Sequence, residues 1–366
     1  MRLNDWNLIL EKNARTLIRG ARLFTMKNFW RAWAQGTAYL LGRLSGRALP
    51  LEVCWAITYR CQCNCPHCYA AARKRADAGE MSTSESKILI DRIRDLGVVN
   101  LNFTGGEPLL RQDIVDLVAH ANKRGLITRL TTNGDLLTRK VVAAMHRAGL
   151  NQCGISIDDA DPDTHDRLRG LPGLFERAIE GFRHLHEFGI ESRFMTYASR
   201  RNLPHGMERL MSLARRLRVD TVHINIPYAS GLWADSFEET FSASERDRLR
   251  RFLGYLKSPL VLIEFPTPEA RCIMIKRSYL YINASGDVTP CPVVPYVMGN
   301  VRDEPLALIW KRHAGLLRLD YHGDCPMNSP ASREALRAHA AAVSSRIRRE
   351  SAAPTDVNSW DCRKDN

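Results

Sequence analysis

Short apolar runs alternate with helix-period segments six times between residues 51 and 226, and no other feature constrains the fold as tightly. The runs are LEVCWAIT (51–58), VVNLNF (98–103), LITRLT (126–131), QCGISI (152–157), ESRFMT (191–196) and DTVHINI (220–226). A capping box at Ser82-Thr83-Ser84-Glu85 predicts a helix that stops before Gly97. Ile114, Leu117, Val118 and Ala121 share one face of a second helix, which stops at Gly125. Further helices are expected over about 138–148, 174–188 and 203–217. Strand–helix units in series call for a parallel sheet with right-handed crossovers. Six units rather than eight predict an α/β chain forming a partial, open (β/α)6 barrel, with its chemistry at the C-terminal ends of the strands.

The rhythm changes after about residue 240. A charged helix (about 242–257) leads to RSYLYINASGDVTPCP, which reads as a hairpin turned at Ala284-Ser285-Gly286-Asp287. GNVRDEPLALIW, a basic helix near 331–350 and a polar tail follow. The expected organisation is therefore a helical extension (1–50), the barrel (51–240) and a small C-terminal α+β domain (241–366).

The formal net charge of +13 is unevenly spread. Residues 1–50 carry nine basic side chains against two acidic ones, with Trp6, Trp30 and Trp33 among them. A basic, Trp-bearing amphipathic helix suits an anionic membrane surface or packs its apolar face on the main domain. Nucleic acid is disfavoured as a partner, since no RNA-binding signature accompanies the charge. There is no apolar stretch long enough to span a bilayer and no secretory leader pattern, so the expectation is a cytoplasmic protein that can sit peripherally on the inner face of the membrane. In that reducing setting, ten cysteines point to metal or redox chemistry rather than to disulfides.

Four of them crowd into YRCQCNCPHCYAA (59–71), directly after the first strand. Cys61, Cys65 and Cys68 give the spacing C-x3-C-x2-C, and three close thiolates can hold three irons of a cubane while leaving the fourth open. Cys63 is surplus. The second strand runs into FTGGEP (103–108), where glycines permit close backbone approach, Glu107 can accept from an ammonium group and Pro108 stiffens the turn.

This spacing, its place after strand one, and GGEP downstream resemble the radical S-adenosylmethionine (SAM) superfamily. The resemblance implies that Cys61, Cys65 and Cys68 bind a [4Fe-4S] cluster whose open iron chelates the amino and carboxylate groups of SAM. Reductive cleavage of SAM then gives a 5′-deoxyadenosyl radical that abstracts hydrogen from a substrate, the electron coming from a donor such as flavodoxin or ferredoxin. It also implies SAM-binding roles for Gly105, Gly106 and Glu107, and for Asn133 in TTNG (131–134). Ser156 and Asp158 in SIDD (156–159), and Arg169 in HDRLRG (165–170), fit the same scheme. The family usually has an aromatic residue before the third cysteine, where this chain has His67. By the same resemblance Cys63 is a bystander, facing solvent or packed in the loop.

Cys54 and Cys153 fall within predicted strands and read as small buried hydrophobes. Cys272, then Gly286-x4-Cys291, resembles the entrance of the SPASM and Twitch extensions of radical SAM enzymes, which carry auxiliary iron-sulfur clusters. The full SPASM cysteine run is missing: Cys325 stands alone, with Asn328 where the next cysteine would fall. The resemblance thus leaves room for one auxiliary [4Fe-4S] cluster on Cys272, Cys291 and Cys325, with Cys362 as a fourth ligand. Related peptide maturases place an acidic base after the hairpin cysteine; here that residue is Pro292.

The leading expectation is a radical SAM oxidoreductase or transferase acting on a lipid or membrane-associated substrate. Maturation of a ribosomally made peptide and modification of tetrapyrrole side chains are the alternatives within the enzyme class. A non-catalytic iron-sulfur sensor or scaffold is the alternative outside it, and it leaves GGEP and the strand-four motif without a use.

Overall fold

The computed structural model describes residues 50–70, 79–203, 205–226, 228–233, 241–255, 261–264, 279–294 and 296–316, with isolated positions between 325 and 338. The basic N-terminal segment, Cys272 and Cys362 lie outside the described residues.

The six expected strands form as β1 (Glu52–Thr58), β2 (Asn100–Gly105), β3 (Ile127–Thr132), β4 (Gln152–Ser156), β5 (Glu191–Tyr197) and β6 (Thr221–Asn225). All pair in parallel, each with the next. Helices α1 (Thr83–Asp95), α2 (Ile114–Lys123), α3 (Arg139–Arg147), α4 (Pro162–Arg169), α5 (Leu174–Glu187) and α6 (His205–Arg216) fill the connections. Local chemistry accounts for their ends. The Ser82–Glu85 capping box forms in full at the start of α1. Asp161 caps α4, which ends at Gly170 in the left-handed region (φ 64°).

Beyond the six units, α7 (Ala243–Tyr255) precedes β7 (Val261–Glu264), which adds in parallel to β6. The C-terminal hairpin, β8 (Tyr279–Ile282) and β9 (Asp287–Thr289), joins the sheet at its other edge, where β8 runs parallel to β1; β10 (Gly299–Asn300) and α8 (Leu306–Leu316) follow. The sheet order is β10-β9-β8-β1-β2-β3-β4-β5-β6-β7, open at both ends.

The two faces of this sheet differ. Val53, Trp55, Ile57, Leu101, Phe103, Leu130, Ile155, Phe194, Val222 and Ile224 point to one face and join the helices in the main core. The alternate positions carry Asn102, Arg129, Thr131, Arg193 and His223, most of them only half-buried. On that second face Cys54 and Ala56 of β1 pack with Tyr281 of β8 in a small buried cluster of their own, while Gln152, Thr221 and His223 are buried polar groups.

Candidate functional site

The cysteine loop is held in place by the GGE turn. Gly106 N–H donates to the Thr58 carbonyl and Glu107 N–H to the Arg60 carbonyl, each at 2.8 Å. A Cβ on Gly105, at φ 143°, would stand 2.1 Å from the Thr58 oxygen, and one on Gly106 would stand 2.3 Å from the Arg60 oxygen. Both glycines are therefore required by the backbone of the cysteine loop itself. Arg111, nearly fully buried, braces the same point by donating to the Ile57 carbonyl (3.0 Å) and Ser86 Oγ (2.9 Å) while paired with Asp113. Nothing in the sequence pattern singled it out.

The four thiols pack in one small cluster with Leu171 and Leu174. Cys63 donates toward the sulfurs of both Cys61 and Cys65, and Cys68 N–H donates to the Cys65 carbonyl at 3.2 Å. That Cys63 hydrogen bond, helped by the Arg169 and His67 charges and opposed by burial, brings the Cys65 thiol down to about 6. A thiolate is the metal-binding form, so the donor set fits an iron-sulfur cluster. Cys63 does not face solvent: it is buried, and Asn133 Nδ2 lies 3.3 Å from its sulfur.

Glu107 is fully buried at the centre of the site. Its carboxylate accepts from Thr132 Oγ1 (2.8 Å), Asn133 N–H (2.8 Å) and Leu109 N–H (3.0 Å). Burial outweighs these bonds and pushes its pKa up to about 7. Asn133 thus spans the site, with its backbone on Glu107 and its side chain on Cys63.

Asp158 and Arg169 meet each other. The guanidinium contacts both carboxylate oxygens, at 2.6 and 2.7 Å, and its Nη1 lies 3.9 Å from the Cys65 sulfur. His67 Nε2 approaches the same carboxylate at 3.3 Å. Burial raises the Asp158 pKa, but Arg169 and then His67 overcome it and hold the group below the usual carboxylate range. His165 accepts the Asp158 N–H at Nδ1 (3.1 Å), and burial, with Arg169 beside it, lowers its pKa to about 4. The Arg169 carbonyl in turn accepts from Asn64 N–H at 2.8 Å, tying α4 to the cysteine loop. Ser156 ends β4, paired with Met195 on β5.

Residues that motif reading missed complete one wall. His67 stacks near Tyr197 (centroids 4.3 Å apart) and Trp233 (5.9 Å). Trp233 arrives on the segment after β6, where Gly231 packs so tightly that a Cβ would fall 2.3 Å from the Cys68 carbonyl oxygen. The only sequence signal was position: Tyr197 at a strand end, Trp233 just beyond another.

In the C-terminal region Cys291 and Cys325 are both buried in the main core, and Thr289 Oγ1 donates to the Cys291 carbonyl at 2.9 Å. The two cysteines expected to complete that set lie outside the described residues.

A model of the radical SAM superfamily matches residues 55–214, and one of an iron-sulfur cluster-binding domain, SPASM, matches 272–325. An AdoMet-dependent heme synthase from Nitratidesulfovibrio vulgaris is 31% identical over 305 residues, which is 75% of this chain and 83% of that protein. This chain belongs to the radical SAM superfamily. A PqqA peptide cyclase from Rhodopseudomonas palustris is 29% identical over 303 residues, 78% of this chain and 79% of its own. Among solved structures, SuiB of Streptococcus suis bound to the precursor peptide SuiA aligns with a TM-score of 0.62 at 17% identity, covering 72% of this chain and 64% of SuiB. At that identity the likeness speaks for the fold alone. The chain is an enzyme whose cofactors are a [4Fe-4S] cluster, SAM and an auxiliary iron-sulfur cluster.

Proposed function

We propose that this radical SAM enzyme modifies the side chains of a carboxylate-bearing tetrapyrrole. The likeness to a heme synthase along 83% of that protein's length, reaching past the barrel into the C-terminal extension, carries the reading. The net charge of +13 suits an acidic substrate.

Within that reading Cys61, Cys65 and Cys68 hold the cluster, and Gly105, Gly106, Glu107, Asn133, Ser156, Asp158 and Arg169 surround SAM. When bound, cluster and SAM supply the 5′-deoxyadenosyl radical that takes hydrogen from the substrate. The protein's part is placement. Glu107, ionised, accepts from the SAM ammonium, and its three internal hydrogen bonds fix where it points. The Asp158–Arg169–His67 set keeps a fixed charge arrangement beside Cys65. Cys291 and Cys325, with Cys272 and Cys362, hold the auxiliary cluster. A ferredoxin or flavodoxin is the electron donor.

Peptide maturation is the second reading, favoured by the PqqA cyclase that aligns over 78% of this chain. Pro292, in place of the acidic residue that follows the hairpin cysteine in related maturases, speaks against it. The lipid-like substrate first expected from the basic, aromatic N-terminus has no counterpart among these relatives. The deciding test incubates reconstituted enzyme, SAM and dithionite with iron-coproporphyrin III and, separately, with a precursor peptide. Formation of 5′-deoxyadenosine coupled to a mass change in the tetrapyrrole is expected. Coupling to the peptide alone would overturn the reading.

A further inference from the structure

The turn from β4 into α4 is tied together by bonds between near neighbours. Ile157 N–H donates to the Met195 carbonyl at 2.8 Å, extending the pairing of β4 with β5. The next donor along, the Asp158 N–H, lies beyond the pairing of β3 with β4, which ends at Thr132 and Ile155. His165 Nδ1 accepts it instead, at 3.1 Å. Asp159 Oδ1 accepts from Asp161 N–H and Asp161 Oδ1 from Thr164 N–H, each at 2.9 Å. The first turn of α4 is thereby fixed where it brings His165 back over Asp158.

His165 and Arg169 stand four residues apart on α4 and so share one face. His165 takes the backbone of Asp158, and Arg169 takes its carboxylate at 2.6 and 2.7 Å. One grip would leave the carboxylate free to swing; two set its direction. The guanidinium held this way lies 3.9 Å from the Cys65 sulfur. A run of direct contacts therefore joins His165, Asp158, Arg169 and Cys65.

The ring itself shows which nitrogen matters. His165 is fully buried, with Phe175 edge-on at 5.7 Å. Burial keeps it neutral, so with Nδ1 accepting, the ring proton sits on Nε2. That Nε2–H has no hydrogen-bond partner among the described residues. A buried donor left unpaired is costly, and an apolar side chain would fill the same space without that cost. What the imidazole adds over an apolar residue is the Nδ1 acceptor.

We infer that His165 is a positioning residue of the cofactor site, acting through Asp158 and Arg169 to hold the guanidinium beside Cys65 for SAM. The inference rests on the assignment of Asp158 and Arg169 to SAM made above. The test is anaerobic calorimetry of SAM binding to reconstituted enzyme, with iron content measured on the same samples. Asparagine places its side-chain oxygen near the position of Nδ1, whereas glutamine places its amide near that of Nε2. His165→Gln should therefore weaken SAM binding about 10-fold, while His165→Asn stays within about threefold of wild type. A purely space-filling role predicts the opposite order, because Asn leaves the larger void. Calorimetry fits affinity separately from the competent fraction, so a poorly folding variant still answers. His165→Gln binding SAM as tightly as His165→Asn would overturn the inference. Arg169→Lys should weaken SAM binding on its own, and adding His165→Gln to it should cost less than in wild type. Equal losses in the two backgrounds would overturn the route through Arg169. Wild-type affinity in Arg169→Lys would overturn the SAM assignment of Arg169 and the inference with it.

Discussion

The two cysteine regions of this molecule are built on opposite plans. Cys61, Cys65 and Cys68 occupy one short loop whose backbone is clamped by the GGE turn, with the Cys63 thiol donating to Cys61 and Cys65. Cys291 and Cys325 are far apart in sequence and reach the same buried core from separate segments. A local site can be positioned by a few backbone hydrogen bonds between neighbouring strand ends. A dispersed site depends on tertiary packing to bring its ligands together, so its metal is also a staple for that packing.

The sharpest way to break this comparison is by removing single thiols. Changing any one of Cys61, Cys65 or Cys68 to Ala should reduce 5′-deoxyadenosine formation to background, whereas Cys63→Ala should retain it. The reverse pattern would mean that Cys63 is a ligand. In the dispersed region Cys272→Ala or Cys291→Ala should lower bound iron by about four per chain while the first cluster persists, following the four irons of a cubane. Iron content equal to wild type would remove Cys272 and Cys291 from the auxiliary set.

A smaller effect probes how the local site handles charge. Glu107 has its pKa raised to about 7 by burial, against a reference near 4.3 for an exposed Glu. A raised carboxyl pKa means the folded state holds its proton longer than the unfolded chain does. Without ligand, stability should therefore fall as pH rises from about 4.3 to about 7. SAM binding has the opposite sign, because its ammonium needs the ionised form, and affinity should improve as pH rises through about 7. Glu107→Gln should flatten that pH dependence and weaken SAM binding roughly 10- to 100-fold, as read by calorimetry. A steep pH dependence surviving in the Gln variant would assign the titration to another group.

The contrast between the regions also explains what could be read from the sequence. Strand–helix alternation placed β1 to β6 within about two residues because each strand carries its own apolar period and each helix its own caps. The cysteine loop was legible because its ligands are near neighbours in the chain. The Asp158–Arg169 contact was not: both residues were matched to SAM separately, and only packing of α4 against the cysteine loop brings them together. β7 has just four residues, too few for a period to stand out. That β8 would pair with β1 is a crossover decision that no local pattern encodes. The reason Gly105 and Gly106 are glycines was half legible. Close approach was expected, but the approaching group is the cysteine-loop backbone rather than a ligand alone.

The smallest effect tests whether the two regions support each other. Arg302, just after β10, donates to Glu85 at the start of α1 (2.8 Å) and to the carbonyls of Gly79 (3.1 Å), Glu80 (3.3 Å) and Ser285 (3.1 Å). Glu80 pairs in turn with Thr58 and Arg60, at the entrance to the cysteine loop. Arg302 thus joins the hairpin side of the molecule to the cluster side through exposed groups. Its hydrogen bond, reinforced by Ser82, lowers the Glu85 pKa to about 2. A depressed carboxyl pKa contributes stability above the unfolded value near 4.3, which is lost as pH falls toward 2. Both side chains are about a third exposed or more, so screening limits the pair. Arg302→Ala should cost about 1 kcal/mol at neutral pH in chemical denaturation, and the difference from wild type should shrink below pH 4. A loss several times larger, accompanied by falling iron content, would show that the dispersed region holds the local site in place rather than merely sitting beside it.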